Sequence, residues 1–230
     1  MLRKPLGLLG IFLIVVGIGY FVGAGVAYSK VQGGYGALQS FSEVQNVELS
    51  YNDDGQLVDR GEVEGGLAIR SLLEDDWGFP IVESDLDPND PLVNSATEYM
   101  YQMATITYHT LHGTQTVVLE EDFTAPDGTV YTAGTPYEVP VDGRYWTAFD
   151  RENPIDAAVR EQAWTGTAHA LVAELGVGTA TAQLLQLGLG LAALFLGVGA
   201  TIILTGGGLI WATRKVEEPV PVLKPAAIPA

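Results

Sequence analysis

The chain contains no cysteine among its 230 residues. This absence excludes disulfides, thiolate nucleophiles, cysteine-ligated zinc and iron–sulfur clusters. It leaves the redox compartment open. A folded domain in this chain must therefore depend on its apolar core, which a region of about 150 residues can supply.

Basic residues are scarce. Only 11 lysines and arginines stand against 28 acidic residues, and 26 of the acidic residues lie between Glu43 and Glu174. Residues 28–182 hold just six basic residues, so this region carries a net charge of about −20. Such a surface repels nucleic acid and anionic lipid headgroups, and neither is expected as a partner. It would attract cations or a basic protein surface, although solubility alone also accounts for it.

Charge is absent from two long segments. Residues 6–27 form an uncharged apolar run, and a helix of this length spans the hydrocarbon layer of about 30 Å. A cleaved signal peptide has an apolar stretch of only about 7–15 residues, so a retained membrane anchor is the better interpretation. The second uncharged run, Leu175 to Thr213, would extend about 58 Å as one helix. We expect it to project beyond the bilayer or to break near Gly176–Gly178, with residues 183–213 in the membrane.

The flanking charges predict the topology. Arg3 and Lys4 precede the first segment, and Arg214 and Lys215 follow the second. Because basic flanks stay in the cytoplasm, both termini are expected inside and residues 28–182 outside the plasma membrane. The predicted organisation is a cytoplasmic N-terminus (1–5), a first transmembrane helix (6–27), an acidic extracytoplasmic α+β domain (28–182), a second transmembrane helix (183–213) and a proline-rich, extended cytoplasmic tail (214–230).

Small residues form stripes in both predicted spans. Gly19 and Gly23 are four residues apart, as are Ala193 and Gly197. Such stripes let helix backbones approach closely in lipid, so these residues are candidates for helix packing. The spans would pack on each other or on a partner subunit, and a second copy of the chain would give a homo-oligomer. Glycine is also simply common in membrane helices.

Residues 28–182 show the local signals of a small α+β domain. A hairpin is predicted over 47–58 around an Asn-Asp-Asp-Gly turn, and a short helix within 62–80 that stops at Gly78 and Pro80. Ser95 and Glu98 have the spacing of a capping box and predict a helix over 96–112. Residues 114–141 predict successive strands separated by turns. Asn153 as N-cap and Pro154 at the first helical position predict a final helix that leads into the second span.

The candidate metal ligands are Asp85, Asp87 and Asn89, at the opening spacing of a calcium loop. The pattern departs where a calcium loop needs glycine, because Asp90 stands there, and Ala96 replaces the bidentate glutamate. A solvated acidic loop is the plainer interpretation, and no metal or other cofactor is expected.

The three histidines and the aromatic residues give no catalytic pattern. His109 and His112 would share one face of a helix, but a third ligand would have to come from His169 or a distant carboxylate. The helix dipole alone favours histidines at a helix C-terminus. No nucleophile elbow is present. Tyr145, Trp146 and Trp164 are expected to cluster, as core packing or as an interfacial belt.

The block VDGRYWTAFDRENP, followed by REQAWTGTAHALVAELGVGT and the second span, resembles a group of actinobacterial two-span membrane proteins. These have an N-terminal anchor, an outer region, an Asp-Arg-Glu-x-Pro stretch, a helix and a closing span. Some members carry the name "aromatic ring-opening dioxygenase". Such an oxygenase needs two histidines and a carboxylate on iron, which the three isolated histidines do not supply. The resemblance implies no catalytic residues.

These observations predict a non-catalytic accessory or interaction protein of the cell envelope. It would be anchored in the lipid bilayer and would bind another membrane or envelope protein. One alternative is a domain that responds to divalent cations through Asp85 and Asp87. A membrane-bound enzyme is the other.

Overall fold

The computed structural model describes residues 3–214. The prediction of an extended proline-rich tail, and the flanking residue Lys215, lie outside the described residues. The elements in chain order are α1 (Arg3–Gln45), α2 (Val63–Ser71), α3 (Ala96–Leu111), β1 (Thr114–Val118), β2 (Phe123–Thr124), β3 (Val130–Tyr131), β4 (Pro136–Pro140), α4 (Pro154–Ala163) and α5 (Gly166–Arg214). Within the described residues, the chain divides into two compact units, one made of residues 3–32 and 187–214 and the other of residues 33–186.

In the first unit, the N-terminal part of α1 packs antiparallel on the C-terminal part of α5 through small residues. Gly10 lies against Gly206 and Gly17 against Gly199. The backbones approach closely at both pairs. A Cβ atom on Gly10 would come within 2.7 Å of the Gly206 carbonyl oxygen, and one on Gly17 within 2.9 Å of the Gly199 carbonyl oxygen. Small buried residues recur every seven positions on both helices (Gly10, Gly17 and Ala24; Ala192, Gly199 and Gly206). A seven-residue repeat keeps these positions on one seam.

The other faces of these helices are apolar and uncovered. Leu8 and Leu204 expose 68% and 75% of their surface, and Phe12 and Val15 are similarly exposed. Both helices are long and apolar enough to cross a membrane. The chain thus has two long apolar helices that flank a small α+β region.

The second unit is built around one apolar core. Its most deeply buried side chains come from helices and strands alike (Ile69, Leu73, Val117, Val141 and Val159). β1 and β4 pair antiparallel from Thr114 opposite Pro140 to Val118 opposite Pro136. β2 and β3 form a separate two-residue ladder within the segment that connects β1 to β4.

The local signals in the sequence are largely confirmed. α3 carries the predicted capping box, in which the Ser95 side chain accepts from the Glu98 N–H and the Glu98 carboxylate accepts from the Ser95 N–H. Asn153 caps α4, and Pro154 is its first residue. The predicted helix within 62–80 is α2 with one π-helical turn, Leu72–Asp76. The turn after Tyr51 is present, but only one bridge, Tyr51 to Leu57, pairs its arms.

Two expectations about helix length need correction or extension. Of the two alternatives for the second run, the break near Gly176–Gly178 is wrong, because α5 is continuous from Gly166 to Arg214. α1 continues well beyond residue 27 and ends only at Gln45. Asn46, with a φ of +49°, stops it, because asparagine tolerates the left-handed conformation that ends helices.

Candidate functional site

The candidate calcium ligands form a turn. The Asp87 carboxylate accepts hydrogen bonds from the backbone N–H and side-chain amide of Asn89, at 2.8 and 2.9 Å. These bonds lower the pKa of Asp87. Asp85 ends a preceding 3₁₀ turn, and its buried Oδ2 has no hydrogen-bond partner. Over residues 4–214 no group of three or more histidine or carboxylate side chains is placed to hold a metal ion. The local bonds therefore account for the Asp87–Asn89 spacing.

The three histidines have separate partners. Nε2 of His109 lies 2.8 Å from a carboxylate oxygen of Asp59. Nδ1 of His112 lies 2.9 Å from the Tyr108 carbonyl oxygen, and its ring packs on Tyr108. His169 contacts Trp146 and Trp164. The structure therefore does not bring His109 and His112 to a common ligand position.

The predicted aromatic cluster is present. Tyr145 stacks on Trp164 with ring centroids 5.8 Å apart, and the Arg160 guanidinium lies 3.6 Å above the Trp146 ring. The Trp77 indole N–H donates to the Tyr145 hydroxyl. Trp164 is buried in the core, so packing explains much of this cluster.

Polar contacts within residues 141–164 connect the strand pair to the helices that follow it. Arg144 donates to the Asp156 carboxylate at 2.8 Å and to the Val141 carbonyl at 3.0 Å. The other Asp156 oxygen accepts from the Asp150 N–H. The Trp164 indole donates to the Arg144 carbonyl at 3.1 Å. These hydrogen bonds connect the strand pair to α4. They give Arg144, Asp156 and Trp164 structural roles.

The predicted packing residues lie away from the seam within the chain. A Cβ atom on Gly19 or Gly197 would meet nothing within 4 Å, and Ala193 is exposed. A Cβ atom on Gly23 would make only an ordinary contact of 3.6 Å with Phe195. The close contacts come instead from the seven-residue series of small residues, a signal that the sequence contains. Packing of Gly19, Gly23, Ala193 and Gly197 on a partner subunit stays a prediction.

The second unit contains an apolar groove. Its volume is about 500 Å³, and it lies between the C-terminal end of α1, α3 and the N-terminal part of α5. The walls are mainly aliphatic and aromatic (Leu38, Phe41, Val47, Val93, Ile106, Leu171, Leu175 and Val177). Phe41 and Val177 at its rim expose 47% and 66% of their surface. The groove therefore opens to the surroundings.

Two hydroxyl groups at the floor of the groove are paired with each other. The Tyr99 hydroxyl and the Ser42 hydroxyl are hydrogen-bonded at 2.8 Å, and both residues are buried. The Tyr99 ring lies on the backbone of Gly178 in α5. Gln45, Gln102, Glu174 and Thr181 complete the lining. Tyr99 thus joins all three helical walls, and its hydroxyl and that of Ser42 satisfy each other at the groove floor.

Local capping places these walls. Thr165 starts α5, because its hydroxyl accepts from the Ala168 N–H at 3.1 Å. The capping box starts α3 one turn before its groove residues Tyr99 and Gln102. Sequence reasoning missed the groove; the available signal was the four-residue spacing of Leu171 and Leu175 on an apolar helix face.

Two buried groups near the groove and in the core have shifted ionisation. Burial raises the pKa of Glu98, and its hydrogen bonds from the Asn94 and Ser95 N–H groups oppose that shift. Burial, together with the charges of Glu98 and Asp87, raises the pKa of Tyr51 to about 12. Burial is the largest cause of both shifts.

Comparison of the chain with protein-family models, curated proteins and solved structures gave no match.

Proposed function

We propose that the protein is a non-catalytic accessory or interaction protein of the cell envelope. Two transmembrane helices anchor it in the plasma membrane, both termini are cytoplasmic, and residues 28–182 lie outside. The observation that carries the proposal is the uncovered apolar surface of α1 and α5. Leu8, Phe12 and Leu204 would be stable in lipid and costly in water.

The acidic charge of the outer region supports an interaction role. Its 26 acidic residues against six basic ones favour a basic protein surface as the partner. Arg70 pairs with Glu74 and Glu83, Arg144 pairs with Asp156, and His109 contacts Asp59, so these contacts engage four of the acidic groups. Most of the negative charge therefore remains available to attract a partner from solution.

Topology is the first test. A protease added to intact protoplasts is expected to digest residues 28–182 while a cytoplasmic control protein survives. A reporter enzyme that is active only outside the cytoplasm should be active when it is fused to this region. Protection of the region, or a reporter active only in the cytosol, contradicts the proposal.

Crosslinking in native membranes tests the interaction. We expect a specific crosslinked protein, or a second copy of the chain, whose yield falls as salt is raised, because exposed charge pairs are screened. A monomer at every crosslinker and detergent condition contradicts the interaction role and leaves the anchoring intact.

A further inference from the structure

The groove between α1, α3 and α5 has the properties of a binding site for one apolar ligand. Its volume of about 500 Å³ lies within the range of about 300–1,000 Å³ typical of small-molecule sites. Ser42 and Tyr99 satisfy each other at its floor, so an apolar ligand would strip no hydrogen bond from them.

The groove walls offer few backbone groups to a peptide. Most lining residues lie on helices, whose N–H and C=O groups are paired within the helix. The two exceptions, Val47 and Val93, pair with each other through the Val93 N–H and the Val47 carbonyl at 2.9 Å. An extended peptide in the groove would therefore bury unpaired backbone groups at a cost. A hydrocarbon chain has no such groups.

The charges of the groove residues decide which kind of apolar ligand fits. Glu174 is the one carboxylate among the groove residues, and no lysine or arginine lines the groove. A free fatty acid would bring its carboxylate toward Glu174 in a strongly acidic domain, without a cation to bind it. An acyl chain esterified in a zwitterionic lipid avoids this repulsion.

We infer that the groove takes up one acyl chain of a bilayer phospholipid with a zwitterionic headgroup. The inference rests on the proposed membrane anchoring, because the walls Leu38–Phe41 and Leu171–Val177 belong to the two helices that carry the spans. The chain would lie along Phe41, Ile106 and Val177, with its headgroup outside.

Photolabelling of the full chain in liposomes tests this. The liposomes contain phosphatidylcholine and a trace of phosphatidylcholine with a diazirine on its acyl chain. We expect labelled peptides from the groove walls, Leu38–Val47 and Leu171–Thr181, as well as from the spans. Ile106→Trp, which fills the groove, should reduce groove labelling at least about fivefold because protein interiors leave no room for both groups. The spans should label as before.

Leu67→Trp is the matched control, because Leu67 is an exposed leucine of the same unit outside the groove. It should leave groove labelling unchanged. If Ile106→Trp fails to fold, Val177→Gln at the exposed rim replaces it, with the same expected loss. Groove labelling that persists in the filled variant overturns the inference.

The remaining outcomes separate the proposals. Labelled spans with an unlabelled groove overturn the acyl-chain inference alone, whereas unlabelled spans contradict membrane anchoring. Because the chain has no cysteine, Val177→Cys reports a second copy directly. Disulfide-linked dimers together with an unlabelled groove would assign the groove to that copy. Labelling seen in purified liposomes and absent in native membranes would assign it to a membrane protein partner, and overturns the inference as well.

Discussion

The ring of Tyr99 lies directly on the backbone of Gly178. A Cβ atom at Gly178 would come within 2.7 Å of two ring carbons, closer than side chains pack. Glycine is therefore used here for close approach between α3 and α5 and does not break the helix. The same contact fixes the floor of the apolar groove, where Tyr99 reaches Ser42.

Gly178→Ala tests this contact. We expect a loss of about 1–3 kcal/mol in the free energy of unfolding, because the added methyl group overpacks the ring. Gly176→Ala is the matched control, since its Cβ meets nothing within 4 Å. Replacing this helical glycine by alanine should stabilise the protein by about 0.5–1 kcal/mol. Thermal unfolding of the full chain in detergent measures both, and shifts of the same sign would contradict the contact.

The Ser42–Tyr99 hydrogen bond predicts a non-additive pair of substitutions. Ser42→Ala and Tyr99→Phe should each cost about 1–3 kcal/mol, because each leaves the other buried hydroxyl unpaired. The double variant should cost clearly less than the sum. Denaturant unfolding of the four proteins closes the cycle, and simple additivity would show that the hydroxyls are not coupled.

Glu98 predicts a pH dependence. Burial raises the pKa of its carboxyl above the ordinary value, which is about 4.3 in an unfolded chain. The folded protein therefore holds this proton more tightly, and the resulting stabilisation is complete below about pH 4.3 and lost as the pH rises through the folded pKa. Glu98→Gln keeps the capping acceptor and should lack this loss. The unfolding temperature of Glu98→Gln relative to that of the wild type should therefore rise as the pH is raised from about 4.3 to neutrality.

Glu98→Ala is the control for that experiment. It removes the acceptor of the Asn94 and Ser95 N–H groups and should lower stability by about 1 kcal/mol, the typical value for a lost cap. A constant difference between Glu98→Gln and the wild type across the whole pH range would refute the role of burial.

The seam between α1 and α5 predicts position-specific effects of one methyl group. Gly206→Ala would bring a Cβ atom to 2.5 Å from the Gly10 carbonyl oxygen, whereas Gly207→Ala meets nothing within 4 Å. We expect the first to destabilise by about 1–3 kcal/mol and the second to have little effect. Unfolding by sodium dodecyl sulfate, followed by tryptophan fluorescence, measures the difference. Equal responses of the two variants would exclude close backbone packing at Gly206.

Local signals in the sequence located much of the outer region. The Ser95–Glu98 and Asn153–Pro154 pairs act within one helical turn, so each could be identified without knowing the rest of the fold. Local signals did not predict the structure where contacts between residues distant in the sequence determine it. Gly33, Gly34 and Gly36 argue against helix by propensity, yet α1 runs through them to Gln45. Gly34 lies against Leu185, a contact that sequence reasoning does not provide.

The candidate sites show the same division. The small-residue pairs Gly19–Gly23 and Ala193–Gly197 predict helix packing, because four-residue spacing of small residues is common at helix contacts in membranes. Within the chain, the backbones meet along the seven-residue series that contains Gly10 and Gly206. Which face of an apolar helix turns inward depends on its partner, since all faces of these helices are apolar.

The sequence by itself determined the two apolar helices, the acidic α+β region between them and the main helix starts. Uncharged length, charge distribution and capping residues act over short distances along the chain. The tertiary structure decided the continuity of α5, the choice of the seven-residue series of small residues as the seam, and the groove. Ser42 and Tyr99 are 57 residues apart, and Gly178 is farther still. Only the packing of three helices on one another brings them together.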